Sequence, residues 1–277
     1  MKIFILGGTR YMGYEVASLL SALGNEVITL SRSHILKSKW KHLVCDRKIY
    51  SDLENIFKHE KPDLVLDMIC FDKQDAIDIT QLYDSGLLDS VSHYLMVSTF
   101  FLYNYCESRE CKFTGDIDSI IDGYTKRKAE AESVYVSSLL FNKCSIVRLP
   151  YVFSENDYSG RFQKLCTLSL SNSITTNSNL FKTSMISMAD ASANLSSIIL
   201  GSPLGFVDLS NRGCLTLGDI QNIIRNFNGL NDSKAFIDVI NGPYPLQKSI
   251  CLNSHKWIIS RTLKDALVGE LQRQKIL

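Results

Sequence analysis

Tyr124-Thr125-Lys126-Arg127-Lys128 places a tyrosine and a lysine four residues apart. On a helix the two share one face, so the Lys128 ammonium can stand near the Tyr124 hydroxyl. A nearby cation stabilises a phenolate and fits the tyrosine for proton transfer. The spacing alone carries little weight, because with twelve tyrosines a chance match is expected in this chain. Tyr244-x-x-x-Lys248 also matches, but Pro243 and Pro245 argue against a helix there. Thr99 stands about 25 residues before Tyr124, at the end of the apolar run Tyr94-Leu95-Met96-Val97. A hydroxyl at the carboxyl end of a parallel strand lies where such sheets bind ligands. Taken singly, a hydroxyl there is more often a strand-end group bonded to backbone.

A second group could hold an anion. Gly7-Gly8-Thr9-Arg10-Tyr11-Met12-Gly13 lies between an apolar strand and an amphipathic helix. Glycine at the strand end permits a tight turn and lets backbone N–H groups approach a pyrophosphate, while the helix start adds partial positive charge. Gly13 lets the helix pack closely on the sheet. Arg10 occupies the place of the usual middle glycine, so position rather than pattern makes the case for a dinucleotide. The next strand ends in Leu30-Ser31-Arg32-Ser33, where an acidic residue usually takes the ribose 2′-hydroxyl of NAD. No carboxylate is present, and an arginine suits a 2′-phosphate. NADP(H) is therefore favoured, with NAD(H) as the alternative, and Arg10 is a second candidate for that phosphate.

These residues need a scaffold, and the hydrophobic pattern predicts one. Apolar runs at 2–6, 26–30, 42–45, 63–69, 93–98 and 144–149 read as strands buried on both faces. Helical patterns lie between them at 11–23, 51–59, 73–86 and 117–141. Gly24 falls where a left-handed helix cap is expected. This alternation predicts an α/β fold, a Rossmann-like doubly wound parallel sheet. Residues 1–153 are expected to form the dinucleotide-binding domain. Residues 154–277 are expected to form a small α+β substrate-binding region, with some elements returning to the sheet. There, 155–184 reads as a polar loop, with Ile174-Thr175-Thr176 and Leu180-Phe181-Lys182 as strand candidates. Helices are expected at 188–200, 217–227 and 261–274, and a strand at 205–209.

Composition excludes several classes. In 277 residues, 45% are hydrophobic and 21% charged, enough apolar material for a core. A formal net charge of +1 argues against binding nucleic acid or membranes through bulk electrostatics. No long basic stripe extends beyond Lys37–Lys41 and Lys126–Lys128. The apolar run at the amino terminus is too short for a signal-peptide core, and no stretch has the length of a membrane span. Eight cysteines, at 45, 70, 106, 111, 144, 166, 214 and 251, include no Cys-x-x-Cys pair. Reduced core thiols are expected from them, and no metal site, since the five histidines do not cluster with them. The expectation is a cytoplasmic protein.

With the glycine turn, Thr99 and Tyr124-x-x-x-Lys128 in this order, the chain resembles the extended short-chain dehydrogenases/reductases of the NAD-dependent epimerase/dehydratase family. Further segments carry the likeness. Cys45-Asp46-Arg47 resembles the acidic site that meets the adenine, and Ser98-Thr99-Phe100-Phe101-Leu102-Tyr103 the serine/threonine–valine–tyrosine stretch. Val147-Arg148-Leu149-Pro150-Tyr151-Val152 resembles the arginine–proline segment that reaches the nicotinamide amide. Met188-Ala189-Asp190-Ala191 is a degraded form of the segment opening a later helix.

The resemblance implies Tyr124 as acid/base and Lys128 as the residue that holds the nicotinamide ribose and favours the phenolate. It implies Thr99 as a hydrogen-bond partner of the substrate oxygen. It assigns to the cofactor Gly7, Thr9, Arg10, Tyr11, Met12, Gly13, Ser31, Arg32, Asp46 and Arg47. To these it adds Met68, Ile69 and Cys70 after the fourth strand, and Tyr151 and Val152. Phe101, Tyr103, Asn104 and Arg161 are the substrate candidates, with Arg148 either a phosphate contact or structural. Dehydratases of the family carry acidic residues after the threonine. Phe100 and Phe101 cannot protonate a departing hydroxyl, which points away from dehydration. The implied activity is NADPH-dependent reduction of a keto-sugar nucleotide. The runner-up is a sugar-nucleotide epimerase with tightly bound NAD. The rival from another class is a non-catalytic NAD(P)-binding regulator or RNA-associated relative. A homodimer through the helix of Tyr124 is compatible with the resemblance.

Overall fold

The structure is a computed structural model that describes residues 1–34, 39–105, 117–171, 181–230, 249–252 and 261–276. In chain order its first elements are β1 (Lys2–Leu6), α1 (Tyr11–Ala22), β2 (Glu26–Ser31), β3 (Lys41–Val44), α2 (Tyr50–Glu60), β4 (Leu64–Asp67) and α3 (Lys73–Asp84). They are followed by β5 (His93–Thr99), α4 (Gly123–Ser137), β6 (Cys144–Leu149), β7 (Tyr151–Phe153) and α5 (Arg161–Leu170). The last are β8 (Lys182–Thr183), β9 (Met185–Ser187), α6 (Met188–Gly201), β10 (Gly205–Asp208), β11 (Leu215–Thr216), α7 (Leu217–Phe227) and α8 (Leu263–Ile276). The chain forms two compact units, Met1–Arg148 with Ser192–Val207, and Leu149–Ala191 with Asp208–Leu277.

The first unit carries a seven-stranded sheet in the order β10-β6-β5-β4-β1-β2-β3. The pairs β1/β2, β1/β4, β2/β3 and β4/β5 are parallel. Strand order reverses between β1 and β4, the switch point at whose carboxyl edge doubly wound sheets take ligands. Ile3, Phe4 and Ile5 of β1 are fully buried, as are Val65 and Leu66 of β4. That burial on both faces explains why these strands read as unbroken apolar runs. Helices cover the sheet through single stripes, such as Leu53 and Phe57 on α2, where Phe57 meets Phe4 edge to face at 5.2 Å. Gly24 takes φ +81 just past α1, as its position predicts.

The second unit is smaller in its sheets. β7 pairs with β9 in parallel and β11 with β8 antiparallel. Leu217, Ile220, Gln221 and Ile224 form the buried face of α7, which Thr216 and Asp219 start with a reciprocal capping box. Phe153, Phe162, Leu165, Met185, Ile220 and Leu267 share one core.

Two expectations need correction here. Residues 161–170, read as part of a polar loop, form α5. Its buried Phe162, Leu165, Cys166 and Ser169 recur at helical spacing, and the serines and threonines of the region hide that stripe. The strand candidate at 174–176 lies outside the described residues. Cys214 and Cys251 form a disulfide with Cα atoms 5.6 Å apart, so not every thiol is reduced. β11, next to Cys214, pairs with β8, and Thr183 of β8 bridges Ile250, next to Cys251. This non-local pairing brings the two cysteines together, and their spacing in the chain carries no sign of it. Cys45, Cys70, Cys144 and Cys166 are free and buried. Burial pushes the Cys45 and Cys70 thiols up to about 12, which keeps them protonated. Cys106 and Cys111 lie outside the described residues.

Candidate cofactor and catalytic site

The glycine turn leaves β1 through Gly7 at φ +86, a conformation that side chains disfavour. Gly7 donates its N–H to the Leu30 carbonyl at 2.9 Å, which ties the turn to β2. A Cβ on Gly13 would collide with the Gly7 carbonyl oxygen, so the start of α1 can lie on the turn only without a side chain there. Arg10 is the N-cap of α1, and Tyr11 follows at φ +52. No side chain caps this helix, and its first turn holds no acidic residue. Helix starts of this kind suit a phosphate. Thr9, Arg10, Tyr11 and Met12 thus lie on or beside the glycine turn.

At the end of β2, Ser31 is half-buried and Arg32 is exposed, with no acidic residue between 31 and 33. His42 on β3 belongs to no motif in the sequence, yet it contacts the end of β2. Its Nδ1 lies 3.0 Å from Thr29 Oγ1 and its Nε2 2.9 Å from the Ser33 carbonyl, so it braces the segment that carries Arg32. Asp46 is half-buried, and its Oδ1 accepts the Lys48 N–H at 3.0 Å.

Arg47 departs from its expected role. Its side chain turns inward and is only 5% exposed, with Nη1 bonded to both Asp67 oxygens at 2.8 and 2.7 Å. Its Nη2 reaches the Asp75 carbonyl at 2.8 Å, and its Nε lies 3.1 Å from Asp75 Oδ1. Burial opposes the charge, but Asp67 and Asp75 outweigh it and hold the guanidinium protonated. The side chain is spent inside the unit rather than on a ligand. A lone basic residue after a strand offers no signal that its partner stands twenty positions on.

Met68, Ile69 and Cys70 form the loop after β4. Met68 N–H bonds the Leu6 carbonyl at 3.1 Å, and Ile69 packs against Gly7. The loop therefore backs the glycine turn from the neighbouring strand.

Asp122 starts α4 by accepting the Thr125 N–H at 2.8 Å and the Thr125 hydroxyl. This fixes Tyr124 in the first turn, 40% exposed, and Lys128 one turn on, 2% exposed. Lys128 Nζ donates to the Cys70 carbonyl at 2.6 Å and the Val97 carbonyl at 2.8 Å. Two of the three donors of an ammonium are thereby committed, leaving one for a ligand. The Phe71 ring lies 5.3 Å from the same nitrogen. Thr99 ends β5 two residues after Val97, buried, with its Oγ1 accepting the Phe101 N–H at 3.3 Å. Ser98 beside it is buried and its Oγ has no hydrogen-bond partner among the described residues. The doubled hydroxyl in the sequence is the signal that could have singled it out.

Among the substrate candidates, Phe101 and Asn104 are half-buried on the short helical turn Phe100–Tyr105. Tyr103 is buried, and its hydroxyl accepts a hydrogen bond from Arg148 Nη1 at 3.0 Å. Arg148 is fully buried, bonded bidentately to Glu132 at 3.1 and 2.6 Å and stacked 4.5 Å from Phe206. Both residues are structural, and the substrate role expected of Tyr103 gives way to this core bridge.

In the second unit, Tyr151 and Val152 lie on β7. Arg161 is exposed, its guanidinium 5.1 Å from the Tyr151 ring and its Nε 2.7 Å from Ser159 Oγ. Asp190 is held by Ser187, by Asn211 at 2.7 Å and by Arg261 at 3.1 Å. It organises the start of α6.

Fold and site define a Rossmann-like α/β protein with a glycine turn after β1, a threonine at the carboxyl end of β5, and a tyrosine and a lysine one turn apart on α4. No family model and no curated protein matches the sequence. Solved structures match it over nearly its whole length. The WbmG enzyme of Bordetella bronchiseptica in complex with NAD superposes with a TM-score of 0.76 at 15% identity, over 100% of this chain and 94% of its own. A dTDP-4-dehydrorhamnose reductase from Clostridium acetobutylicum gives 0.71 at 17% identity, over 99% and 100%. The UDP-N-acetylglucosamine 4-epimerase from Bacillus cereus gives 0.70 at 18% identity, over 99% of each chain. At these identities the likeness establishes the fold.

Proposed function

We propose that the protein is an extended short-chain dehydrogenase/reductase that reduces a keto-sugar nucleotide with NADPH in the cytoplasm. The observation that carries the reading is Lys128, buried on the helix of Tyr124 and bonded to carbonyls just after β4 and within β5, two residues before Thr99. Its anchors stand at the carboxyl ends of β4 and β5, next to the point between β1 and β4 where the strand order reverses. Solved proteins of this fold include a reductase and an epimerase of sugar nucleotides, which supports the substrate class.

The residues present fit a dinucleotide. The bare Gly13 and the uncapped start of α1 leave room and N–H donors for a pyrophosphate. Arg32, exposed where no carboxylate competes, fits a 2′-phosphate. When bound, the nicotinamide supplies a hydride to the substrate carbonyl carbon. Tyr124 gives its phenolic proton to the carbonyl oxygen, which completes the alcohol. The Lys128 ammonium stabilises the phenolate left behind, and the Thr99 hydroxyl orients the oxygen. Arg161 is the candidate contact for a substrate phosphate, and Phe101 and Asn104 for the sugar.

Tyr124→Phe tests this reading. We expect turnover of keto-sugar nucleotides to fall by about two to four orders of magnitude with dinucleotide binding retained. Unchanged turnover would remove Tyr124 from the mechanism. Mass spectrometry of the purified protein separates the two reactions: a tightly retained NAD marks an epimerase, and an exchangeable NADPH marks the reductase.

A further inference from the structure

Asp67 is fully buried at the end of β4 and collects four hydrogen bonds. Arg47 Nη1 takes both oxygens, the Ile69 N–H donates to Oδ1 at 3.0 Å, and the Tyr94 hydroxyl donates to Oδ2 at 2.8 Å. Two routes lead from this carboxylate to Lys128. Along the chain, Ile69 is followed by Cys70, whose carbonyl holds the lysine ammonium. Through space, Tyr94 accepts the Tyr135 hydroxyl at 3.1 Å, and Tyr135 stands on α4 two turns beyond Lys128.

The other end of the loop is pinned from the same arginine. Asp75 takes the Phe71 N–H on Oδ2 at 2.7 Å, and its carbonyl receives Arg47 Nη2. Lys48 closes the ring on Asp72 and Asp75, each at 2.7 Å. Residues 69–71 are thereby held at both ends by the buried carboxylates of Asp67 and Asp75. A hydrogen bond to a loop carbonyl can place an ammonium only as well as the loop is placed. Burying three charges in a fold is costly, so stability alone is a weak account of the cluster.

We propose that Arg47, Asp67 and Asp75 form a clamp that positions Lys128, with Arg47 and Asp67 as positioning residues for the reaction. This rests on the reductase reading for its catalytic consequence, but the placement of Lys128 is a property of the protein alone. Ile69 extends the same clamp to the glycine turn, because its side chain fills the space that a Cβ on Gly7 would need. One buried carboxylate thus sets the lysine and the back of the anion turn together.

The test uses the full-length protein and an amine-acetylating ester, with the sites of modification read by mass spectrometry. Lys126, half-buried on the same helix, is the internal reference. In Asp67→Asn the labelling rate of Lys128 relative to Lys126 should rise at least tenfold, while thermal melting still shows one cooperative transition. Arg47→Lys keeps the charge but loses the two-armed grip, so it should give an intermediate rate and serves if Asp67→Asn does not fold. A Lys128 rate unchanged in folded Asp67→Asn, or in Arg47→Lys if only that variant folds, would overturn the clamp. With substrate, the alkaline limb of the kcat–pH profile should move upward by roughly one unit in Asp67→Asn, since a displaced ammonium favours the phenolate less and Tyr124 keeps its proton to higher pH. A wild-type enzyme inactive on every keto-sugar nucleotide would sink the reductase reading and leave the labelling result standing.

Discussion

Gly13 turns its bare α-carbon onto the carbonyl oxygen of Gly7, and any Cβ at that position would enter the oxygen. The obstacle is backbone and has no rotamer to yield. In Gly13→Ala the helix start must move off the turn, and its N–H groups lose their common aim. Dinucleotide affinity should fall at least tenfold, about 1.4 kcal/mol, by titration calorimetry. Binding within twofold of wild type would mean that the cofactor does not use this turn.

Arg32 decides between the two dinucleotides if its guanidinium meets a 2′-phosphate. A charge-assisted pair of this kind contributes about 1.5–3 kcal/mol. Arg32→Ala should therefore weaken NADPH binding by roughly ten- to a hundredfold and leave NADH binding nearly unchanged. Wild-type protein that binds both equally would remove the main support for a reductase.

Glu270 predicts how the second unit responds to pH. Burial and the neighbouring Glu155 carboxylate push its pKa up to about 8 from an ordinary 4.5. Glu155, whose N–H also bonds Glu270 Oε2 at 3.3 Å, is shifted down, and Arg273 lies 2.9 Å from Oε1. The folded protein keeps a proton on Glu270 that the unfolded chain has lost, so stability falls as pH rises from about 4.5 to 8. Glu270→Gln should flatten the melting temperature across that window and exceed wild type at its upper end. A wild-type melting temperature that rises steadily through the same window would contradict the pairing.

The Cys214–Cys251 bridge closes a loop of 37 residues. Chain entropy alone gives such a closure about 4 kcal/mol. Urea unfolding with and without a reducing agent should show a loss of that order, and Cys214→Ser should lose the sensitivity to reductant. No dependence on reductant would show that the bridge does not form in solution.

Much of the first unit could be read from local pattern. Apolar runs, glycines at strand ends and helix starts, and a tyrosine four residues before a lysine are short-range features. Backbone geometry converts them into strands, turns and one helix face without reference to the rest of the chain. Thr99, Tyr124 and Lys128 fall on the expected elements for that reason. The side chains whose partners lie far away behave differently. Arg47, read as a ligand contact, finds Asp67 and Asp75 because β4 lies beside β1 and α3 shares the core of those strands. Tyr103, read as a sugar contact, meets Arg148, which Glu132 holds in turn, so that three separate elements converge on one guanidinium. Cys214 and Cys251 meet only because β8 lies between their segments. Sequence by itself determined which residues could do chemistry and on what kind of element each stands. Tertiary structure decided which charged and polar groups are consumed by the protein itself. Strand order sets those distances, and no local periodicity encodes it.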